Sequence, residues 1–272
     1  MNREELVKLI KEKKSLLCVG LDTDPDRVPA HLQHHADPVF EFNRQIIEAT
    51  LPFAVAYKPN MAFYEARGAA GWQSLQATMQ YLNGKAFTIA DAKRGDIGNT
   101  AGMYAKAFFE QMSFDAITLS PYMGKDSVTP FLKYPDKWAI VLGLTSNPGS
   151  ADLQTVEGGA GPLYQRVLKK APEWGSTANL MFVVGATKSA LFRQVRQLVP
   201  DHFLLVPGVG AQGGNLQEVC EAGINPDGGL LINSSRGILY AGDGKNFAEK
   251  AAEAASALQR EMAGYLQQAG VV

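Results

Sequence analysis

Thr88-Ile89-Ala90-Asp91-Ala92-Lys93-Arg94-Gly95-Asp96-Ile97-Gly98-Asn99-Thr100 joins an apolar run to a cluster of charges. The run 87–90 reads as a buried strand, and its polar end carries Asp91, Lys93 and Asp96 with Arg94 among them. Alternation along a strand points Asp91 and Lys93 the same way. Two acids and a lysine at a strand end are costly to bury unless they pair. One reading is a structural salt bridge at a strand-to-helix turn. The other is a lysine held between carboxylates for chemistry. What the other strands bring to the same place decides between them.

Similar apolar runs recur at 16–21, 54–57, 116–119, 139–144, 180–184, 203–206 and 230–232, making eight with the first. Between them lie stretches with helical spacing, at 40–49, 72–82, 103–112, 163–168, 191–198 and 216–220, and an alanine-rich one at 247–266 closes the chain. Strands buried on both faces read as continuous apolar runs, and alternation with helices implies parallel pairing. Eight such units predict an α/β fold, a single (β/α)₈ TIM barrel over 1–272 forming one catalytic domain. A doubly wound sheet is the alternative.

Polar residues follow nearly every run: Asp22, Lys58, then Asp91 with Lys93, Ser120, Thr145 with Ser146, Thr187 with Lys188, the segment 207–214, and Asn233 to Arg236. In a barrel all the C-terminal strand ends converge on one face, where active sites sit. A ring of such residues is therefore a site hypothesis with a geometric reason. Asp24 before Pro25 reads as a turn initiator, which leaves Asp22 as the better site candidate of that loop. Pro59 forces Lys58 into an extended backbone at the rim. The polar stretch after Ser146, reaching Gly161, reads as a loop that closes over a ligand.

Gly208, Gly210 and Gly213 match the G-x-G-x-x-G spacing. A dinucleotide fold expects an acid about 20 residues on, but Asn233, Ser234, Ser235 and Arg236 stand there. An arginine suits a phosphate. Loops after the seventh and eighth strands commonly hold phosphate in this architecture, so Gln212, Gly213, Ser235 and Arg236 are the phosphate candidates.

The composition excludes several classes. The 272 residues are 46% hydrophobic and 19% charged, with a net charge of −1 and an isoelectric point near 6.4. Nothing suggests a nucleic-acid or membrane footprint. Cys18 and Cys220 read as reduced core residues. His31, His34 and His35 read as a solvated loop, not a metal site. Residues 1–14 lack the apolar stretch of a signal peptide, and a cytoplasmic protein is expected.

With these motifs assembled, the chain resembles the orotidine 5′-phosphate decarboxylases, in the form of their longer bacterial branch. The resemblance is carried by Leu21-Asp22, Lys58, the block 91–100, the turn 146–149, the segment 207–214 and Arg236. The Asp-x-Lys-x-x-Asp core is shared with related sugar-phosphate enzymes. The resemblance implies decarboxylation of orotidine 5′-monophosphate to UMP, the last step of de novo pyrimidine nucleotide synthesis, with no metal or organic cofactor. It implies Lys93 as the proton donor to C6, Asp91 near the departing carboxylate, and Lys58 completing the network and reaching the ribose with Asp22. Ser146 and Pro207 would contact the pyrimidine side, and Gln212 and Arg236 the phosphate. Asp96, Ile97 and Thr100 would enter the site of a neighbouring subunit, making an obligate homodimer with shared sites. A magnesium-dependent barrel acting on a sugar phosphate and a silent nucleotide sensor are the other readings of the same residues.

Overall fold

Strands that are apolar on both faces can be covered only by helices outside and by one another inside. The computed structural model shows that arrangement; it describes every residue except Ala160, Gly210, Ala211 and Gln212, and the side chains of Lys188, Ser189 and Ala190 are also left aside. The strands are β1 (Leu17–Gly20), β2 (Ala56–Lys58), β3 (Phe87–Arg94), β4 (Ala116–Leu119), β5 (Trp138–Leu144), β6 (Leu180–Val184), β7 (Phe203–Pro207) and β8 (Leu230–Ser234). They pair in sequence order, and β8 returns to β1, so the sheet is a closed eight-stranded barrel. Every pairing is parallel. The (β/α)₈ expectation holds, and the doubly wound alternative fails on the β1–β8 pairing.

The helices are α1 (Arg3–Lys13), α2 (Pro38–Thr50), α3 (Met61–Glu65), α4 (Gly68–Leu82), α5 (Gly98–Ala105), α6 (Leu163–Lys170), α7 (Ser189–Leu198), α8 (Leu216–Gly223), α9 (Arg236–Leu239) and α10 (Phe247–Gln268). The helical stretch expected at 103–112 is split: α5 passes into a π-helical segment, Lys106–Gln111. Two helices at the rim, α3 and α9, have five and four residues, too few to show a periodicity.

The lower end of the barrel is packed shut. Phe87, Trp138 and Phe203 open β3, β5 and β7, and their rings meet edge to face with centroids 6.2 and 6.3 Å apart. Side chains from alternate strands filling one layer are the usual core of this architecture. α1 lies across that end. Arg3 donates to the Thr177 and Asp201 carbonyls and pairs with Asp227, and its guanidinium stacks on Phe203. The polar groups of the strand ends are thereby left to the opposite face.

Candidate active site

The site begins with an irregularity in β3. Its pairing with β4 runs Ile89↔Ala116 and Ala90↔Ile117, then slips to Arg94↔Leu119. Four residues on β3 thus span two on β4, a bulge that bends the strand. Lys93 adopts φ +49°, in the left-handed region, which costs an L-residue about 1–2 kcal/mol. Simple alternation therefore does not align Asp91 and Lys93, as the sequence pattern implied; the bulge does. The amides freed by the slip are taken up by one side chain: Thr118 Oγ1 accepts the N–H of Ala92 at 3.0 Å and of Lys93 at 2.9 Å.

Asp91 is the hub. Its Oδ2 accepts from Lys58 Nζ at 2.7 Å, and its Oδ1 from Lys93 Nζ at 2.5 Å and Thr118 Oγ1 at 3.2 Å. Burial works against the Asp91 carboxylate, but Lys58 and then Lys93 outweigh it and hold the carboxyl well below the usual range. Burial likewise works against the Lys58 ammonium, but Asp91 and Asp22 hold its pKa above the ordinary lysine value. The three charged groups form one chain, from the buried Lys58 to a Lys93 whose side chain is half exposed. Asp22 stands beside it with a buried Oδ1 that has no hydrogen-bond partner among the described residues. An orphaned buried acceptor is costly, and a ligand hydroxyl would satisfy it.

These groups line one side of a cavity of about 490 Å³ at the C-terminal face. Leu142, Val183 and Leu205, from β5, β6 and β7, supply apolar lining, and Ser146 and Pro207 line it too. Gly208, Ser235 and Arg236, after β7 and β8, also line it. Three cations, Lys58, Lys93 and Arg236, thus share the cavity with two carboxylates, Asp22 and Asp91. A small molecule with an apolar flat portion and anionic groups fits such a lining.

The loop after β5 is tied down by an amide. Gln154 Oε1 accepts the Thr145 N–H, and Gln154 Nε2 donates to Thr145 Oγ1, both at 2.8 Å. Thr145 Oγ1 in turn donates to Asn147 at 2.6 Å. The loop after β7 folds back on itself, with the Gly214 N–H on the Gly208 carbonyl at 3.1 Å. The Gly208 carbonyl lies 2.7 Å from where a Cβ on Gly214 would be, so only glycine fits that approach.

The family model described as "Orotidine 5'-phosphate decarboxylase / HUMPS family" matches residues 15–251, which include all eight strands. The chain belongs to this family. It is 55% identical over 270 residues to the orotidine 5'-phosphate decarboxylase of Christiangramia forsetii, covering 98% of this chain and 99% of that one. It is 56% identical over 266 residues to the orotidine 5'-phosphate decarboxylase of Flavobacterium johnsoniae, covering 97% of each. Among solved structures, Leishmania donovani OMP decarboxylase superposes with a TM-score of 0.81 at 40% identity, covering 96% of this chain and 100% of that one.

Within this decarboxylase-family barrel, the expected residues divide. Asp22, Lys58, Asp91, Lys93, Ser146, Pro207, Ser235 and Arg236 line the cavity. Asp96, Ile97, Thr100 and Gly213 do not, and Gln212 lies outside the described residues. Asp96 turns back on its own backbone, its Oδ1 accepting the Ile97 N–H at 2.8 Å. Arg94 is engaged elsewhere, paired with Glu65 of α3 and lying over the Tyr104 ring. Asn233, named among the strand-end polar residues, also lines the cavity, as do Asn60, Asn147 and Gln154, which were given no role. Asn60 stands two residues beyond Lys58, past the position that the strand-end rule marks. Gln154 gives no strand-end signal either, because it reaches the cavity by a loop that returns.

Proposed function

We propose that the chain decarboxylates orotidine 5′-monophosphate to UMP and carbon dioxide, the last step of de novo pyrimidine nucleotide synthesis. The observation that carries this reading is Asp91 held between two lysines at the edge of a cavity that Arg236 shares. The bond from C6 to the carboxylate breaks, carbon dioxide leaves, and the electron pair stays on C6. The pyrimidine ring has no adjacent group that delocalises that pair well, so a fixed cation must stabilise it. Lys93 is that cation; it delivers a proton to C6 and regains one from water. Asp91 holds Lys93 in place and lies near the departing carboxylate, and Lys58 keeps Asp91 ionised.

The remaining lining assigns itself by chemistry. Asp22, whose Oδ1 has no partner among the described residues, and Lys58 take the ribose hydroxyls. Ser146 and Pro207 meet the pyrimidine, whose flat face suits Leu142, Val183 and Leu205. Arg236 and Ser235 take the phosphate, and Gly213 and Gln212, which are not among that lining, are proposed to join them from the loop after β7. The binding energy of the phosphate, spent far from C6, favours closure of loop 147–161.

The same reading makes the enzyme a homodimer with shared sites. Asp96, Ile97 and Thr100 are not among the described residues that line the cavity of their own barrel. Ile97 itself and Met103 of α5, with Tyr122 and Met123 after β4, are 51%, 58%, 84% and 45% exposed, large apolar side chains that suit contact with a second copy. Residues 1–272 act as one catalytic domain, working in the cytoplasm. No described helix is long and apolar enough to cross a membrane.

The test is loss of pyrimidine absorbance when chelator-treated protein meets orotidine 5′-monophosphate. Turnover that persists without divalent metal supports the proposal. Inert protein that instead acts on a sugar phosphate once magnesium is restored overturns it.

A further inference from the structure

We infer that Thr118, on β4 against the bulge of β3, is a positioning residue for Lys93, its one hydroxyl fixing both the lysine's backbone and the carboxylate that holds the lysine's ammonium. The inference rests on the decarboxylase reading for what Lys93 does.

A threonine hydroxyl has two acceptor lone pairs and one proton. Both lone pairs of Thr118 are occupied, by the N–H groups of Ala92 and Lys93. Its single proton therefore has one destination, Asp91 Oδ1, 3.2 Å away. No freedom remains: the backbone contacts dictate the direction in which the hydroxyl donates. The residue is 1% exposed, so bulk water does not compete for these bonds.

Two consequences follow for the site. First, the left-handed Lys93 backbone at φ +49° is unfavourable by itself and persists because something holds the bulge. The paired amides on Thr118 are that hold. Second, Asp91 Oδ1 is the oxygen that also takes Lys93 Nζ, so the Thr118 proton and the Lys93 ammonium share one acceptor. Without the hydroxyl, two amides lose their partner and the bulge relaxes toward regular pairing. Lys93 then swings away from C6, although every charged residue is still present.

The experiment compares Thr118→Val and Thr118→Ser with wild type, reading kcat and KM on orotidine 5′-monophosphate for folded protein. Valine keeps the shape and removes the hydroxyl; serine keeps the hydroxyl and removes a methyl. Misplacing a catalytic group by about 1 Å costs about 10²-fold, and that drop is expected in kcat for Thr118→Val with KM nearly unchanged. Thr118→Ser should recover most of it. A residue that served only the β3–β4 pairing would lower the denaturation midpoint and leave kcat per folded molecule alone. Should valine prevent folding, Thr118→Cys, similar in size but a poor acceptor, is read in its place with the same expectation. Valine or cysteine variants with wild-type kcat, or a folded serine variant as slow as valine, overturn the inference. A folded wild type with no turnover overturns the decarboxylase reading instead, so the two failures are told apart.

Discussion

Lys58 Nζ lies 2.7 Å from Asp91 Oδ2, with the two side chains only 4% and 11% exposed. Removing one partner of a buried pair strands the other charge, at a cost of roughly 3–5 kcal/mol. Lys58→Ala should therefore lose stability on that scale in urea denaturation, as well as activity. A loss below about 1 kcal/mol, typical of surface pairs, would show that the pair is solvated and the network loose.

The pair also fixes a pH dependence. Despite burial, Lys58 and Lys93 hold the folded-state pKa of Asp91 below its ordinary 3.8. Its contribution to stability is therefore full above that value and lost as pH falls through the lower folded-state value. Lys58, raised from 10.5 by Asp91 and Asp22 against the effect of burial, contributes fully below 10.5 and loses its contribution as pH rises through the higher folded-state value. The stability difference between wild type and Asp91→Asn should stay flat from about pH 5 to about pH 9 and narrow in stronger acid. A difference that widens on acidification contradicts the ionised Asp91.

Gly20 tests the phosphate end. A Cβ there would lie 1.8 Å from Ser235 Oγ, so Gly20→Ala must push Ser235 aside. KM for orotidine 5′-monophosphate should rise about 10-fold, the equivalent of one lost hydrogen bond to a charged group. An unchanged KM would remove Ser235 from the phosphate site.

The barrel was legible because its strands are buried on both faces and so are apolar throughout; 116–119 and 180–184 coincide with β4 and β6 residue for residue. β3 was legible only to Ala90, because the bulged continuation to Arg94 is polar and its pairing depends on Thr118 across the sheet. Cavity positions were legible where a polar residue directly follows a run, as at Asp22, Lys58 and Asn233. Thr118 was not, since a threonine within an Ala-Ile-Thr-Leu strand is an ordinary β-former. The role of α1 was hidden too: its amphipathic pattern shows a buried face but not that Arg3 reaches three loops at the base of the barrel.

The division of labour in the 91–100 block predicts complementation between subunits. A dimer of Lys93→Ala and Asp96→Ala chains has one site lacking both residues and one site intact. After exchange of the two inactive parents, activity should return to about a quarter of wild type, as for random pairing in a two-fold dimer. Mixtures that stay inactive despite proven subunit exchange would place Asp96 in the site of its own barrel.

The central claim is that Lys93 stabilises and protonates C6. The most direct measurement is the single-turnover rate of Lys93→Ala on orotidine 5′-monophosphate, alongside its affinity for UMP. The account predicts a folded protein that still binds UMP while decarboxylation falls by more than about 10⁴-fold, the combined scale of a lost general acid and a lost fixed charge. Decarboxylation at a rate close to wild type in a preparation free of host enzyme would contradict it.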